Sequence, residues 1–209
     1  MDEDIKKNML KTGTTILGIV CKDGVVMAGD NRVSLGQSII MSKDFKKVFP
    51  INNYLVFAGC GSATEMQKIS KILPAELKLK ELRSKSRPTV KESASLLSNI
   101  EVSQSAFILG GYDEDGLASL YEITGGLLTE ITDYTASVGS GMPYVLGYLE
   151  RQYKKGVSVK EGIELAKESL KSSTQRDMAS GNGIDIYTIT KEGIKKVVSQ
   201  TIEPTYKDQ

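Results

Sequence analysis

Short apolar segments joined in pairs by tight turns restrict the fold of this chain most strongly. Residues 14–21 and 25–29 are rich in β-branched and apolar side chains, and the turn sequence KDG separates them. Such a pair predicts a β-hairpin, whose strands run antiparallel. The same pattern predicts further strands at 45–51, 54–59, 104–112, 117–124, 127–133, 184–190 and 194–200.

Two pairs of helices are predicted between these strands. Residues 63–83 contain few β-branched residues and many Lys, Glu and Leu, and we expect Pro74 to kink or interrupt the helix there. A second helix begins at Thr89, which is followed three residues later by glutamate as in a capping box. The other pair covers 143–155 and 158–176, and the latter also begins with a capping box.

The order of these elements predicts the architecture. Hairpins come first, followed by two helices, more hairpin strands, two further helices and a closing hairpin. This order differs from the strand–helix alternation that is typical of a parallel sheet. We therefore predict an α+β fold, in which two antiparallel sheets lie between two helix pairs as a four-layer αββα sandwich. Residues 14–209 are expected to form a single domain, preceded by a short N-terminal segment.

The composition excludes several kinds of catalytic site. The chain contains no histidine and only two cysteines, Cys21 and Cys60. Ser-His-Asp and Cys-His systems, zinc sites with histidine ligands and an all-thiolate zinc site therefore cannot be completed within the chain. We expect no metal and no cofactor. Both cysteines are interpreted as small core residues, and their low number favours a reducing compartment such as the cytoplasm.

The charge and hydropathy also exclude two classes of partner. The formal net charge is +1, which argues against broad electrostatic binding to nucleic acid. No segment approaches the roughly 20 apolar residues that a membrane-spanning helix needs. We therefore expect neither a nucleic-acid partner nor a membrane partner.

The segment around Gly13 and Thr14 is compatible with a mechanism that needs no histidine. A threonine hydroxyl can act as a nucleophile when a base lies beside it, and the free α-amine of the same residue can be that base. This mechanism requires a removable leader that ends immediately before the threonine, and residues 1–13 are predicted to be that leader. Two alternatives stay open from these residues alone: a disordered N-terminal tail, and ordinary strand threonines.

Short motifs along the chain carry a more specific signal when they are taken together. They are GTTILGI at 13–19, AGDNR at 28–32, KKVF at 46–49, AG at 58–59, LLSN at 96–99, GGYD at 110–113, GSG at 139–141, LE at 149–150 and RDMASG at 176–181. In this order, the motifs resemble the proteasome β-subunit family of N-terminal-nucleophile threonine peptidases. The resemblance extends from Gly13 to the last predicted strand.

The resemblance implies roles for individual residues. Thr14, released by cleavage after Gly13, would be the nucleophile, and its new α-amine would relay the proton. Asp30 and Lys47 would be the charged partners of its hydroxyl, with Arg32 supporting Asp30. The polar cluster around the amine would consist of Ser140, Asp177 and Ser180. The backbone amide of Gly59 would face the developing oxyanion.

The assignment of the catalytic lysine involves a choice between two residues. Lys46 and Lys47 are adjacent, and successive strand side chains point to opposite faces, so only one can reach the site. Counting from Thr14 favours Lys46, whereas the KKVF motif favours Lys47, which we prefer.

Phe57 and Cys60 flank the oxyanion glycine, and we predict that they line the pocket for the substrate residue before the scissile bond.

The family resemblance also implies an activity and an assembly. It implies the N-terminal-nucleophile hydrolase fold, an endopeptidase acting on unfolded polypeptides, and autocatalytic removal of residues 1–13. It implies heptameric β-rings stacked between rings of α-subunits in a 28-subunit α7β7β7α7 particle, fed by an ATPase ring. Two alternatives are a structural β-subunit that does not cleave and the peptidase subunit of a bacterial two-component ATP-dependent protease.

Overall fold

The computed structural model of the chain describes residues 13–35 and 39–202. The helices are α1 (Ala63–Ser84), α2 (Val90–Ser98), α3 (Met142–Gln152) and α4 (Val159–Arg176). The strands are β1 (Ile16–Cys21), β2 (Gly24–Asp30), β3 (Val33–Leu35), β4 (Ile39–Ser42), β5 (Val48–Pro50), β6 (Leu55–Gly61), β7 (Ser105–Tyr112), β8 (Ala118–Thr124), β9 (Leu127–Ile131), β10 (Tyr134–Thr135), β11 (Gly183–Thr190) and β12 (Gly193–Thr201).

Ten of these strands form two five-stranded antiparallel sheets. The first sheet has the order β10-β1-β2-β11-β12, and the second has the order β5-β6-β7-β8-β9. The remaining strands, β3 and β4, pair only with each other. The antiparallel pairing predicted from the tight turns is confirmed in both sheets.

Three apolar clusters define the layers. One lies between the two sheets and includes Ile16 and Val56. A second packs the outer face of the second sheet against α1 and α2, and Phe107 lies within it. The third packs the outer face of the first sheet against α3 and α4 through residues such as Leu149 and Leu170. The predicted four-layer αββα sandwich is therefore confirmed.

The helices agree with prediction except in two details. Both predicted capping boxes are present, at Thr89 and at Ser158. Helix α1 runs through Pro74 without the interruption that we considered. Leu73 and Leu77 are buried on either side of the proline, so packing against the sheet holds both halves of the helix in place. Helix α3 ends at Gln152, three residues before the predicted end.

The short strands differ more from prediction. The segment predicted as 45–51 forms a strand only over Val48–Pro50, and the segment predicted as 127–133 ends at Ile131. Strands β3, β4 and β10 were not predicted. Strands of two to four residues are too short to show the alternation of apolar and polar side chains from which a strand is predicted. Of the three, β10 pairs with the distant strand β1, whereas β3 and β4 pair with each other.

The topology brings five segments together at one end of the first sheet. The chain enters β1 just after Gly13 and Thr14, and β2 ends nearby at Asp30, whose backbone N–H donates to Thr15 O at 3.0 Å. The segment before β5, the start of α3 and the segment after α4 meet at the same end. Of the leader predicted at 1–13, only Gly13 lies within the described residues.

Candidate active site

Thr14 follows Gly13 and lies two residues before the start of β1. It is 1% exposed. The Thr14 hydroxyl donates a hydrogen bond to the Gly13 carbonyl oxygen at 2.7 Å. The Gly13 N–H in turn donates to Ser34 Oγ at 3.3 Å, so the residue before the predicted cleavage bond is held at both its amide and its carbonyl.

Asp30 and Lys47 form an ion pair that is excluded from solvent. Lys47 Nζ lies 2.7 Å from Asp30 Oδ1, and the two side chains are 1% and 0% exposed. Asp30 also accepts the backbone N–H groups of Thr15 at 2.8 Å, Arg32 at 2.9 Å and Gly181 at 3.0 Å. A buried carboxylate needs this full set of partners, because an unpaired charge is costly in the interior.

Lys47 also contacts the peptide that is predicted to be cleaved. Its Nζ donates to the Gly13 carbonyl oxygen at 3.3 Å, the same atom that accepts the Thr14 hydroxyl. Burial lowers the pKa of the Lys47 ammonium from its ordinary value of 10.5, and the Asp30 carboxylate opposes part of that shift. Lysines with lowered pKa values are suited to accepting a proton at moderate pH. Lys46 is exposed, so of the two adjacent lysines Lys47 is the one that lies in this site.

Asp177 organises a second polar cluster around Thr14. The hydroxyls of Ser140 and Ser180 donate to the same carboxylate oxygen, Oδ2, at 2.6 and 2.5 Å. The Thr14 backbone N–H donates to Ser140 Oγ at 3.2 Å. The backbone nitrogen of Thr14 is therefore linked to Asp177 through the hydroxyl of Ser140.

Thr15 belongs to this cluster, although the sequence analysis gave it no role. Its Oγ1 lies 2.7 Å from Ser180 Oγ. Because the Ser180 hydroxyl proton is directed to Asp177, Thr15 is the donor in this contact. Thr15 therefore contacts the Asp177 cluster through its side chain and Asp30 through its backbone N–H. The repeated threonine in GTT was the only sequence signal for this position.

The glycines of the GSG motif let the start of α3 approach residues 14 and 15. A β-carbon on Gly139 would overlap the Thr14 carbonyl oxygen, and one on Gly141 would overlap Thr15 Oγ1. The Gly141 N–H donates to the Thr14 carbonyl oxygen at 3.3 Å. Glycine is therefore needed at positions 139 and 141 so that this backbone can lie close to residues 14 and 15. The same close approach brings Ser140 to the Thr14 N–H.

Arg32 supports the site through a neighbouring loop. Its backbone N–H contacts Asp30, but its guanidinium donates elsewhere: from Nε to Asn182 Oδ1 and from Nη1 to the Met178 carbonyl, each at 2.7 Å. Asn182 adopts a left-handed backbone conformation, with φ of 59°. The guanidinium therefore holds the segment that carries Ser180.

The Gly59 amide, predicted to face the oxyanion, is already engaged. Gly59 lies in β6, and its N–H donates to the Lys47 carbonyl oxygen at 3.0 Å. This bond places Gly59 directly beside the backbone of Lys47. The amide can bind a substrate oxygen only if this hydrogen bond is shared or released.

Phe57 and Cys60 are not brought together. They are separated by three positions on β6, so their side chains point to opposite faces of the second sheet. Phe57 packs on the side of α1 and α2 and stacks on Phe49, with a ring-centroid distance of 4.9 Å. Cys60 lies between the sheets, and burial raises the pKa of its thiol, which disfavours the reactive thiolate. The two residues cannot line one common pocket.

Two absences apply to the part of the chain that the structure describes. Residues 13–35 and 39–202 contain no group of three or more Cys, Asp or Glu side chains arranged to hold a metal ion. Within the same ranges, no helix combines the length and the apolar character needed to span a membrane.

This geometry combines a hydroxyl, a buried lysine and a polar cluster around one peptide bond. The hydroxyl of Thr14 and the ammonium of Lys47 meet at one carbonyl oxygen. The arrangement can direct a threonine nucleophile at an acyl carbon, with a lysine to accept its proton.

Comparisons with known proteins all point to the same family. A family described as "Proteasome subunit" matches residues 10–189. A proteasome subunit beta from Nanoarchaeum equitans is 42% identical over 192 residues, which cover 88% of this chain and 96% of that protein. Proteasome subunit beta 1 from Thermococcus onnurineus is 39% identical over 201 residues, covering 93% and 97%. A proteasome subunit beta from Methanocaldococcus jannaschii is 41% identical over 199 residues, covering 91% and 88%.

Proposed function

The chain belongs to the proteasome subunit family, and we propose that it is a catalytic β-subunit, a threonine endopeptidase whose nucleophile is Thr14. Its relatives named proteasome subunit beta span nearly its whole length, which supports the β type. The observation that carries the catalytic proposal is the convergence of Thr14 Oγ1 and Lys47 Nζ on the Gly13 carbonyl oxygen, at 2.7 and 3.3 Å.

The first reaction would be self-cleavage at Gly13–Thr14. Thr14 Oγ1 attacks the Gly13 carbonyl carbon and its proton passes to neutral Lys47. The C–N bond then breaks as the ester forms, and the Thr14 nitrogen takes up the proton that Lys47 accepted. Water hydrolyses this ester, which releases residues 1–13 as a carboxylate and leaves Thr14 with a free α-amine. The Lys47 contact to the carbonyl oxygen supports this step, because a donor at that atom stabilises developing negative charge.

The mature site would use the same nucleophile on other polypeptides. The hydroxyl of Thr14 attacks the substrate carbonyl, and the new α-amine or Lys47 accepts the proton. This proton passes to the leaving amine as the acyl-enzyme ester forms. Water then hydrolyses the ester, which releases the carboxylate product and restores the Thr14 hydroxyl. The contacts between Thr14 N, Ser140 and Asp177 support a role for this cluster in holding the α-amine. Gly59 is proposed as the oxyanion donor once its bond to Lys47 O is shared with the substrate.

We further propose the assembly that the family resemblance implies. The chain would form heptameric β-rings stacked between rings of α-subunits, with an ATPase ring supplying unfolded polypeptides in the cytoplasm. Three consecutive apolar residues of β4, Ile39, Ile40 and Met41, are 58, 43 and 64% exposed. A contiguous exposed apolar segment of this kind supports burial against another subunit.

The proposal is tested by producing the full chain together with a proteasome α-subunit and measuring intact mass. We expect a species that begins at Thr14 and forms a covalent adduct with a peptide boronate or epoxyketone. An uncleaved, unlabelled chain within a complete particle would instead favour the non-cleaving structural β-subunit. Assembly and cleavage without α-subunits would favour the organisation of the bacterial two-component protease.

A further inference from the structure

Gly13 is enclosed on the side where a side chain would lie. A β-carbon at this position would overlap the β-carbon of Ala179 and would lie only 2.9 Å from both Ala179 Cα and Ser140 Oγ. Ala179 is buried, with 2% of its surface exposed. A methyl group attached directly to the backbone cannot rotate away, so the overlap is relieved only if the backbone moves.

The backbone around Ala179 is held by both carboxylates of the site. The Ala179 N–H donates to Asp177 Oδ1 at 3.2 Å. The Gly181 N–H donates to Asp30 Oδ2 at 3.0 Å, and the Met178 carbonyl accepts the Arg32 guanidinium at 2.7 Å. Displacing Ala179 would therefore disturb contacts to Asp177 and Asp30. If residue 13 moved instead, its carbonyl oxygen would be displaced from the Thr14 hydroxyl and from Lys47 Nζ.

We propose that Ala179 is a specificity-determining residue for self-cleavage, which restricts the residue before the cleaved bond to glycine. This inference rests on the proposed self-cleavage at Gly13–Thr14. A larger residue at position 13 would keep the peptide bond intact but misalign its carbonyl, and displacements of about 1 Å are enough to cost on the order of 100-fold in rate.

The test is a suppressor experiment on the full chain co-produced with a proteasome α-subunit. The cleaved fraction is followed by intact mass for wild type, Gly13→Ala, Ala179→Gly and the double variant. We expect Gly13→Ala to be cleaved about 100-fold more slowly than wild type. The double variant should be cleaved at least about tenfold faster than Gly13→Ala. Recovery is expected to be partial, since Ala179 Cα and Ser140 Oγ remain close. As a matched control, Gly13→Ala combined with Ala166→Gly, a buried alanine of α4, should show no recovery.

The outcomes separate the two proposals. An uncleaved wild-type chain in a complete particle would overturn the proposed function, and this inference with it. If wild type is cleaved, the inference alone is overturned when Gly13→Ala is cleaved at the wild-type rate. It is also overturned when Ala179→Gly matures but the double variant is no faster than Gly13→Ala.

A second measurement covers the case in which Ala179→Gly does not fold. In a crystal structure of the uncleaved Gly13→Ala particle, we expect residue 179 to be displaced or the residue 13 carbonyl to lie beyond 3.5 Å from Lys47 Nζ. A methyl group accommodated at position 13 with both groups in their present positions would overturn the inference.

Discussion

Lys47 Nζ lies 2.7 Å from Asp30 Oδ1, and both side chains are almost completely excluded from solvent. Asp30 completes its set of partners with three backbone N–H groups, which come from separate parts of the chain. The pair thus joins β2, the segment before β5 and the segment after α4. The pair holds the backbone around Thr14 in place, and the Asp30 carboxylate favours the charged form of Lys47.

Replacing Lys47 should destabilise the fold. In Lys47→Met, Asp30 loses its cationic partner and remains buried, and such changes cost about 3–5 kcal/mol. Denaturant unfolding of the full-length chain should show this loss. The matched control is Lys46→Met at the adjacent exposed position, which should change the free energy of unfolding by less than about 0.5 kcal/mol. Equal effects at the two positions would contradict the structural role of the pair.

The rate of self-cleavage should depend on pH through Lys47. Before cleavage Thr14 carries an amide nitrogen, so its α-amine cannot act as the base. Burial lowers the pKa of Lys47 from its ordinary value of 10.5. As pH rises, the neutral, proton-accepting form therefore becomes the major form before pH 10.5 is reached. The rate should rise with pH and level off before that value. It can be measured by intact mass after mixing the precursor with α-subunits at a series of pH values.

The control for this profile is Lys47→Arg, which keeps the positive charge but cannot be deprotonated in this range. It should remove the pH-dependent rise and leave little cleavage. A wild-type rate that is constant or falls as pH increases would contradict the role of Lys47 as the base.

Phe57 should contribute to stability more than to substrate preference. It stacks on Phe49 and packs edge-to-face on Phe107, with a centroid distance of 6.1 Å to the latter. Phe57→Ala should cost about 3–5 kcal/mol, as large-to-small changes of buried aromatic residues do. Unfolding of the half-buried control Phe45→Ala should show a smaller loss. An unchanged free energy of unfolding with an altered peptide preference would restore the pocket interpretation.

Much of the architecture could be predicted because the information is local. Tight turns such as KDG at 22–24 identify the hairpins, and capping boxes identify the starts of α2 and α4. The β3–β4 hairpin and β10 could not be predicted, because strands this short are defined by their pairing partners. Helix α1 passes through Pro74 because tertiary packing outweighs local propensity.

The site was only partly accessible from the sequence. Family motifs singled out Thr14, Asp30 and Lys47, which the fold brings together. The opposite orientation of Phe57 and Cys60 follows from their odd separation on one strand and was open to prediction. The contact of Thr15 with Ser180 joins residues 165 positions apart in the chain, and it required the structure. The contact of Gly59 N–H with Lys47 O depends on the register of the β5–β6 pair, which the sequence did not specify.

The most direct test of the account is the comparison of wild type with Thr14→Ala in particles assembled with α-subunits. We expect wild-type chains to begin at Thr14 and to hydrolyse peptides. Thr14→Ala should assemble but keep residues 1–13 and show no hydrolysis, while the control Thr188→Val, at a buried threonine of β11, should be processed and active. Substantial peptide hydrolysis by purified Thr14→Ala particles would contradict the assignment of Thr14 as the nucleophile.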